Sequence, residues 1–172
     1  MQKTDKYYFD TCTIIDIIDS LSPFHNNVIK AVAQAQDLWA LSEYMENELK
    51  SILRHAEKFV KRKDSLLKEY FKLKQSYKSS FIPNDSRTLR LHIFSKNHRI
   101  RPLKFQDVVH IGICGLKNIP NIISEDWHIY GRSMKYNQPF IDIVKQALTS
   151  IQNFSNPKHA FTTRQGYLKK EV

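Results

Sequence analysis

Glycine is scarce in this chain, with 4 in 172 residues, and no glycine-rich turn able to cradle a nucleotide phosphate occurs. Cysteine is scarcer still. Cys12 and Cys114 lack the paired spacing of a zinc site and are too few for a disulfide framework. No run of 18 apolar residues is present, so no helical membrane span is expected. The polar stretch from Met1 to Phe9 lacks the apolar core of a signal peptide, which points to a cytoplasmic protein. The 7 histidines form no His-x-His or His-Glu-x-x-His pair, which argues against a zinc hydrolase. Internal repeats and low-complexity segments are absent too.

What is present suits a folded domain. Hydrophobic residues make up 41% of the chain, with 10 Phe, 8 Tyr and 2 Trp, enough for one sizeable core and too apolar for a disordered basic tail. The net charge is +10, and it is unevenly spread. Residues 1–53 carry 4 basic and 8 acidic side chains, whereas residues 54–104 carry 15 basic and 4 acidic. Residues 105–131 are again net acidic and residues 132–172 net basic. Two acidic blocks around a basic one are what a carboxylate metal site beside a phosphate-polymer surface would need. A solvated basic helix is the plainer reading of the same run.

Along the chain, Lys6–Phe9 reads as a strand ending at Asp10, and Thr13–Leu21 as an amphipathic helix with Asp16 and Asp19 toward solvent. Val28–Gln36 reads as helical, Leu38–Leu41 as a buried strand, and Ser42 as the cap of a helix running to about Phe59. Ala56–Tyr77 reads as one long helix, Ser79–Arg90 as a loop, and Leu91–Arg101 as either helix or hairpin. Lys104–Leu116 reads as a helix, Asn118–Ser124 as a short strand, and Gln138–Phe154 as a last helix. Strands separated by helices predict an α/β three-layer sandwich around a mostly parallel sheet. The expected organisation is a single domain over 1–154, with 54–104 as a basic, largely helical insertion and 155–172 as a polar C-terminal tail.

In such sheets ligands bind at the carboxyl ends of strands. Asp10 follows the first predicted strand and Asp126 the last, while Glu48 and Asp107 lie on the helices between. If the helix starts share that edge, four carboxylates converge, and they need a cation to offset their repulsion. Carboxylate oxygens suit Mg²⁺ or Mn²⁺. Glu43 and Glu46 compete with Glu48 for the helix position, and Glu48 is favoured.

These residues, in this order, resemble the PIN-domain ribonucleases, the fold of the VapC-like toxins. Asp10-Thr11-Cys12 is similar to the family's opening motif, Ser42 with Glu48-Leu49 to its strand-end serine and helical Glu-Leu, Asp107-Val108-Val109-His110 to its penultimate helix, and Ser124-Glu125-Asp126 to its closing motif. The resemblance spans residues 7 to about 130. It implies that Asp10, Glu48, Asp107 and Asp126 hold one or two Mg²⁺ or Mn²⁺ ions that activate water and stabilise charge on the phosphoryl oxygens. It also implies that Thr11 and Ser124 orient the carboxylates, and that products carry 5′-phosphate and 3′-hydroxyl ends. Two departures stand out: His128 occupies a position where the family often has another Asp, and the 54–104 block is longer and more basic than in a minimal toxin.

The remaining candidates read more simply. His110 suits a packed or hydrogen-bonded helix histidine, Cys12 a small polar slot rather than a nucleophile, and Trp39 and Trp127 core or crevice walls. Arg87, Arg90, Arg99 and Arg101 are the preferred RNA contacts, because a guanidinium binds phosphate bidentately. The leading expectation is a metal-dependent endoribonuclease that acts on RNA, with the toxin of a toxin–antitoxin pair as its specific form and an antitoxin or a second copy of the chain as protein partner. The alternative is a non-catalytic RNA-binding or interaction module with a decayed site.

Overall fold

The computed structural model describes residues 6–34, 39–76, 80–97, 104–125, 158–164 and 167–170. Strand β1 (Tyr7–Phe9) leads into helices α1 (Thr11–Ile18) and α2 (His25–Ala33). Strand β2 (Trp39–Ser42) leads into α3 (Glu43–His55), α4 (Glu57–Val60) and α5 (Lys63–Ser76). Strand β3 (Ser80–Ile82) precedes α6 (Ser86–Asn97) and α7 (Phe105–Leu116), and β4 (Asn121–Ile123), β5 (Lys158–Thr163) and β6 (Tyr167–Lys170) follow. The strands form one sheet in the order β3-β2-β1-β4-β5-β6. Every neighbouring pair is parallel except β5–β6. The fold is therefore α/β, with a mostly parallel central sheet flanked by helices, as the sequence predicts.

The topology explains where a site can form. From β1 the chain crosses to β2 on one side and later returns on the other side as β4. Such a reversal of strand order opens a crevice beyond the carboxyl ends of the strands. Tyr8 pairs in register with Ala40 of β2 and Ile122 of β4, so Asp10, Ser42 and Ser124 leave the sheet side by side. Tyr8, Phe9, Leu41 and Ile123 are fully buried, as expected of parallel strands covered on both faces.

Local chemistry sets the helix ends at this edge. Asp10 caps α1, accepting from the Thr11 N–H at 2.7 Å, and Ser42 caps α3, accepting from the Met45 N–H at 3.0 Å. After α7, Asn118 adopts a φ of 52°, and the Ile119 N–H bonds back to the Cys114 carbonyl at 2.9 Å. This left-handed turn stops the helix and aims the chain into β4. The small side of Gly112 admits α6. A Cβ there would lie 2.0 Å from Leu91 Cδ2.

Several expectations are revised. The 54–104 block, expected as a basic, largely helical insertion, contributes to the sheet and core. β3 pairs with β2 inside it, and Phe59, Leu66, Tyr70, Ile82 and Leu91 are buried in the core. The single long helix expected over 56–77 is broken between α4 and α5, and the one expected to run from Glu43 to Phe59 ends at His55. The segment read as a loop over 79–90 contains β3 and the start of α6, and the ambiguous stretch after Leu91 is helical through Asn97. The expected polar tail of 155–172 contains β5 and β6, so the sheet continues past residue 154. The helix expected over 138–154 lies outside the described residues.

Asp16 and Asp19 are buried rather than solvent-facing. Asp19 takes both guanidinium nitrogens of Arg62, at 2.6 and 3.1 Å, and so ties α1 to the α4–α5 junction. Asp16 accepts from Ser22 at 2.7 Å and from Arg164 at 3.3 Å. Three carboxyls with structural partners titrate below their ordinary range. Asp19 is held down by its bonds to Arg62. Glu46 and Asp85 are held down against the opposing effect of burial, Glu46 by Lys50, Lys74 and Tyr70, and Asp85 by the Thr88 N–H and Arg87. A lowered folded pKa adds stability that is complete above the unfolded pKa, roughly 4, and is lost as pH falls through the folded value. The urea midpoint is expected to decline steadily below about pH 4, and Asp19→Asn to make that decline shallower. A midpoint independent of pH in this range would contradict the role of these pairs.

Candidate metal centre

Three side chains meet where the strand order reverses. One oxygen each of Asp10 and Glu48 and a ring nitrogen of His110 lie within 4.8 Å of one another. Asp10 comes from the end of β1, Glu48 from the second turn of α3, and His110 from α7. The His110 Nε2 is 2.8 Å from Glu48 Oε2 and 3.6 Å from Asp10 Oδ1.

Each member is held by its neighbours. Asp10 Oδ2 accepts from the Ser124 hydroxyl at 2.6 Å, while Oδ1 accepts from the Thr11 N–H. The Thr11 hydroxyl donates to Glu48 Oε2. Thr11 and Ser124 thus touch the two carboxylates they were expected to orient. On the far side of the imidazole, Nδ1 is 2.7 Å from the Tyr8 hydroxyl, which is 2.7 Å from Ser42 Oγ. His110, Tyr8 and Ser42 are all fully buried.

The protons in this chain can be placed. Burial works against the Glu48 charge, but the hydrogen bond and charge of His110, helped by Thr11, hold its carboxyl below the usual range. Glu48 is therefore ionised at neutral pH and can only accept, so the bonded His110 Nε2 carries a proton. Burial also opposes a charged His110, yet the bond to Glu48 and the field of Asp10 raise its pKa. With Nε2 protonated, the oxygens of Asp10 and Glu48 are the donors left for a cation, and hard oxygen donors suit Mg²⁺ or Mn²⁺. The donor set fits such an ion. Burial raises the Cys12 thiol well above its ordinary pKa, which keeps it a neutral neighbour of Asp10 rather than a nucleophile.

The other expected site residues fall as follows. Asp107 is buried at the start of α7, bonded to the Lys104 N–H at 2.9 Å, and its charge reaches His110 and Tyr44. Its oxygens lie outside the three-residue cluster. Asp126, His128 and Trp127 lie outside the described residues, as do Arg99 and Arg101. Arg87 and Arg90 are exposed on α6, and Arg87 pairs with Asp85 at 2.9 Å. Glu46 is engaged elsewhere, bonded to Lys50, Lys74 and Tyr70, and Glu43 accepts from the Asn84 N–H. Two residues join the site beyond those expected from the sequence: His110 as a cluster member, and Lys104, whose charge helps to lower Glu48. The signal for His110 was its spacing of one turn from Asp107 on a helix face.

Tyr8→Phe tests the buried chain. It leaves the His110 Nδ1 and the Ser42 hydroxyl short of a partner, at a cost of about 1–3 kcal/mol by urea denaturation. As a partner of a residue bonded to a ligand, Tyr8 is also expected to affect Mn²⁺ affinity, by about 10–100-fold in calorimetry. Unchanged stability and unchanged affinity would remove Tyr8 from the account.

The sheet order, flanking helices and strand-end cluster define a PIN-like α/β fold. Among solved structures, the chain is similar to VapC20 of Mycobacterium tuberculosis, described as a sarcin–ricin loop cleaving toxin, with TM-score 0.58 and 12% identity over 73% of this chain and 93% of that one. No protein-family model and no curated protein sequence matches the chain. At this identity the likeness is one of fold.

Proposed function

We propose that the chain is a divalent-metal-dependent endoribonuclease. Asp10, Glu48, Asp107 and Asp126 would hold Mg²⁺ or Mn²⁺. The observation that supports this best is the meeting of Asp10 and Glu48, braced by Thr11, Ser124 and His110, at the reversal of strand order. When bound, the ion supplies activation of water and neutralisation of charge on the phosphoryl oxygens. The chain's own residues do the rest. Ser124 and the Thr11 N–H fix the two oxygens of Asp10. His110 and Thr11 fix Glu48 and keep its carboxylate charged. Lys104, close enough to act on Glu48, offers a cation for an RNA phosphate, and Arg87 and Arg90, exposed on α6, would be further phosphate contacts. Hydrolysis would leave 5′-phosphate and 3′-hydroxyl ends. As a toxin, the chain would be held in check by an antitoxin protein.

The test is incubation of pure protein with RNA and millimolar Mn²⁺ or Mg²⁺, and separately with a chelator. A sarcin–ricin loop RNA is included because the structural neighbour is described as cleaving it. Cleavage with metal and none with chelator is expected. No cleavage of any RNA with either metal would overturn the reading.

A second reading, an RNA-binding module without catalysis, draws support from His110. Its Nε2 is 2.8 Å from Glu48 Oε2 and 3.6 Å from Asp10 Oδ1, so both carboxylates have a protein neighbour without a metal. Saturable RNA binding with no metal uptake would favour it.

A further inference from the structure

A cleft of about 370 Å³ opens directly beside the carboxylates, with Glu48 in its wall. A volume of that order suits a small organic group rather than a bare ion. The surface exposed inside it is mostly apolar, although polar side chains contribute to its walls. Tyr44, His92 and Phe105 form the aromatic side. They continue an edge-to-face run that starts at the buried His110. The Tyr44 and His110 rings are 5.3 Å apart, Tyr44 and His92 5.7 Å, and His92 and Phe105 5.4 Å. The Tyr44 hydroxyl and His92 Nδ1, 3.1 Å apart, fix this wall internally. Leu89, 60% exposed, stands at the cleft without a core role.

The polar lining is made by Asn47, Glu48, Ser51, Asn84, Thr88 and Gln106. Asn47 and Gln106 bring carboxamides, which donate and accept at once and match the edge of a nucleobase. Cations edge the same region. The Lys96 ammonium is 5.5 Å from the centre of the Phe105 ring, and the charge of Lys104 acts on Glu48. Single-stranded RNA is gripped in this manner, with bases on aromatic faces and phosphates on cations.

The geometry points to a nucleobase subsite formed by Tyr44, His92 and Phe105 with Asn47 and Gln106, which holds one base of single-stranded RNA beside the carboxylate centre. The inference rests on the nuclease reading for the position of the scissile phosphate. It adds a base-recognition element that helps determine where the strand is cut. A structural role alone would not require carboxamides and an aromatic wall to line one cleft with cations nearby.

The experiment uses full-length protein without metal, observed by NMR at the Phe105 ring and the Asn47 and Gln106 amides. The four nucleoside 5′-monophosphates are titrated, with ribose 5-phosphate as the probe that has the phosphate but no base. The nucleotides are expected to shift these signals and to bind with different affinities, and ribose 5-phosphate to leave them in place. Phe105→Leu is expected to weaken nucleotide binding about tenfold through lost stacking. Because Phe105 starts α7 and its replacement could perturb the helix, the exposed Asn47→Ala is the second variant; it is expected to change the order of preference among the four bases. Equal shifts by ribose 5-phosphate, no response to any nucleotide, or unaltered affinities and preference in Asn47→Ala would each overturn the subsite. No metal or cleavage enters this titration. A failure of metal-dependent cleavage would therefore strike the nuclease reading alone, and a flat nucleotide response the subsite alone.

Discussion

Asp10→Asn is expected to lower metal-dependent RNA cleavage by roughly two to four orders of magnitude, since an ion stabilising the phosphoryl charge contributes several kcal/mol and each 1.4 kcal/mol is tenfold. The substitution is nearly isosteric, but it removes the charge that two donors now hold in place. Ser124 and the Thr11 N–H bond to the two Asp10 oxygens, and an amide presents only one acceptor to them. It also leaves Glu48 as the one carboxylate in the three-residue cluster, paired with the Nε2–H of His110. One carboxylate already compensated by an imidazole attracts a divalent ion weakly. Glu46→Gln is the matching control. Glu46 sits two residues from Glu48 yet bonds to Lys50, Lys74 and Tyr70, so its loss is expected to lower stability and spare cleavage at a temperature where the protein is folded. Equal cleavage by the parent and Asp10→Asn would show that the site is misassigned.

Leu49→Ala is expected to cost about 2–5 kcal/mol in urea denaturation, the range for truncating a fully buried leucine without collapse of the cavity. Leu49 is completely buried on α3, next to Glu48 in sequence, and joins the core shared with Leu41 and Met45. Against a total stability of about 5–15 kcal/mol for a typical domain, the loss is large and should appear as a lower midpoint at unchanged slope. Leu21→Ala provides the contrast. Leu21 is 72% exposed, and its truncation is expected to stay within about 0.5 kcal/mol of the parent. A small effect at Leu49, or similar effects at both sites, would show that α3 is not anchored as described.

How much of this could be read from the chain depends on length and partners. The strands at 7–9 and 39–42 stand out because both faces are buried and the residues are apolar or aromatic up to the polar Ser42 that ends the second. Asp10 and Ser42 mark their ends because a helix cap needs a side-chain acceptor there. β3 is illegible in the sequence because three residues beside Pro83 carry no periodicity, and what makes them a strand is pairing with β2. β5 and β6 were read as tail for a related reason: a strand such as Lys-His-Ala-Phe-Thr-Thr is defined by its neighbours in the sheet more than by its own pattern. Asp16 and Asp19 were assigned to solvent from helical spacing, and their burial depends on Arg62 and Arg164, which are distant in sequence.

The site shows the same division. Asp10 and Glu48, which the fold brings together, stand out by type and position along the alternating elements; Asp107 stands out in the same way, but its oxygens lie outside the three-residue cluster. His110 was read as a packed, hydrogen-bonded helix histidine, and it is both packed and bonded. Only the fold shows that its bonds reach Tyr8 on one side and Glu48 on the other. The net charge of +10 likewise conceals the arrangement. Part of the basic block is consumed in structural pairs, Arg62 with Asp19 and Lys74 with Glu46, while Lys104 stands near the carboxylates.

The most direct test of the central claim is calorimetric titration of Mn²⁺ into the pure protein and into Asp10→Asn and Glu48→Gln. The account predicts saturable binding by the parent and a loss of at least about tenfold in affinity in each variant. No binding by the parent at millimolar Mn²⁺, or the same affinity in all three proteins, would contradict it.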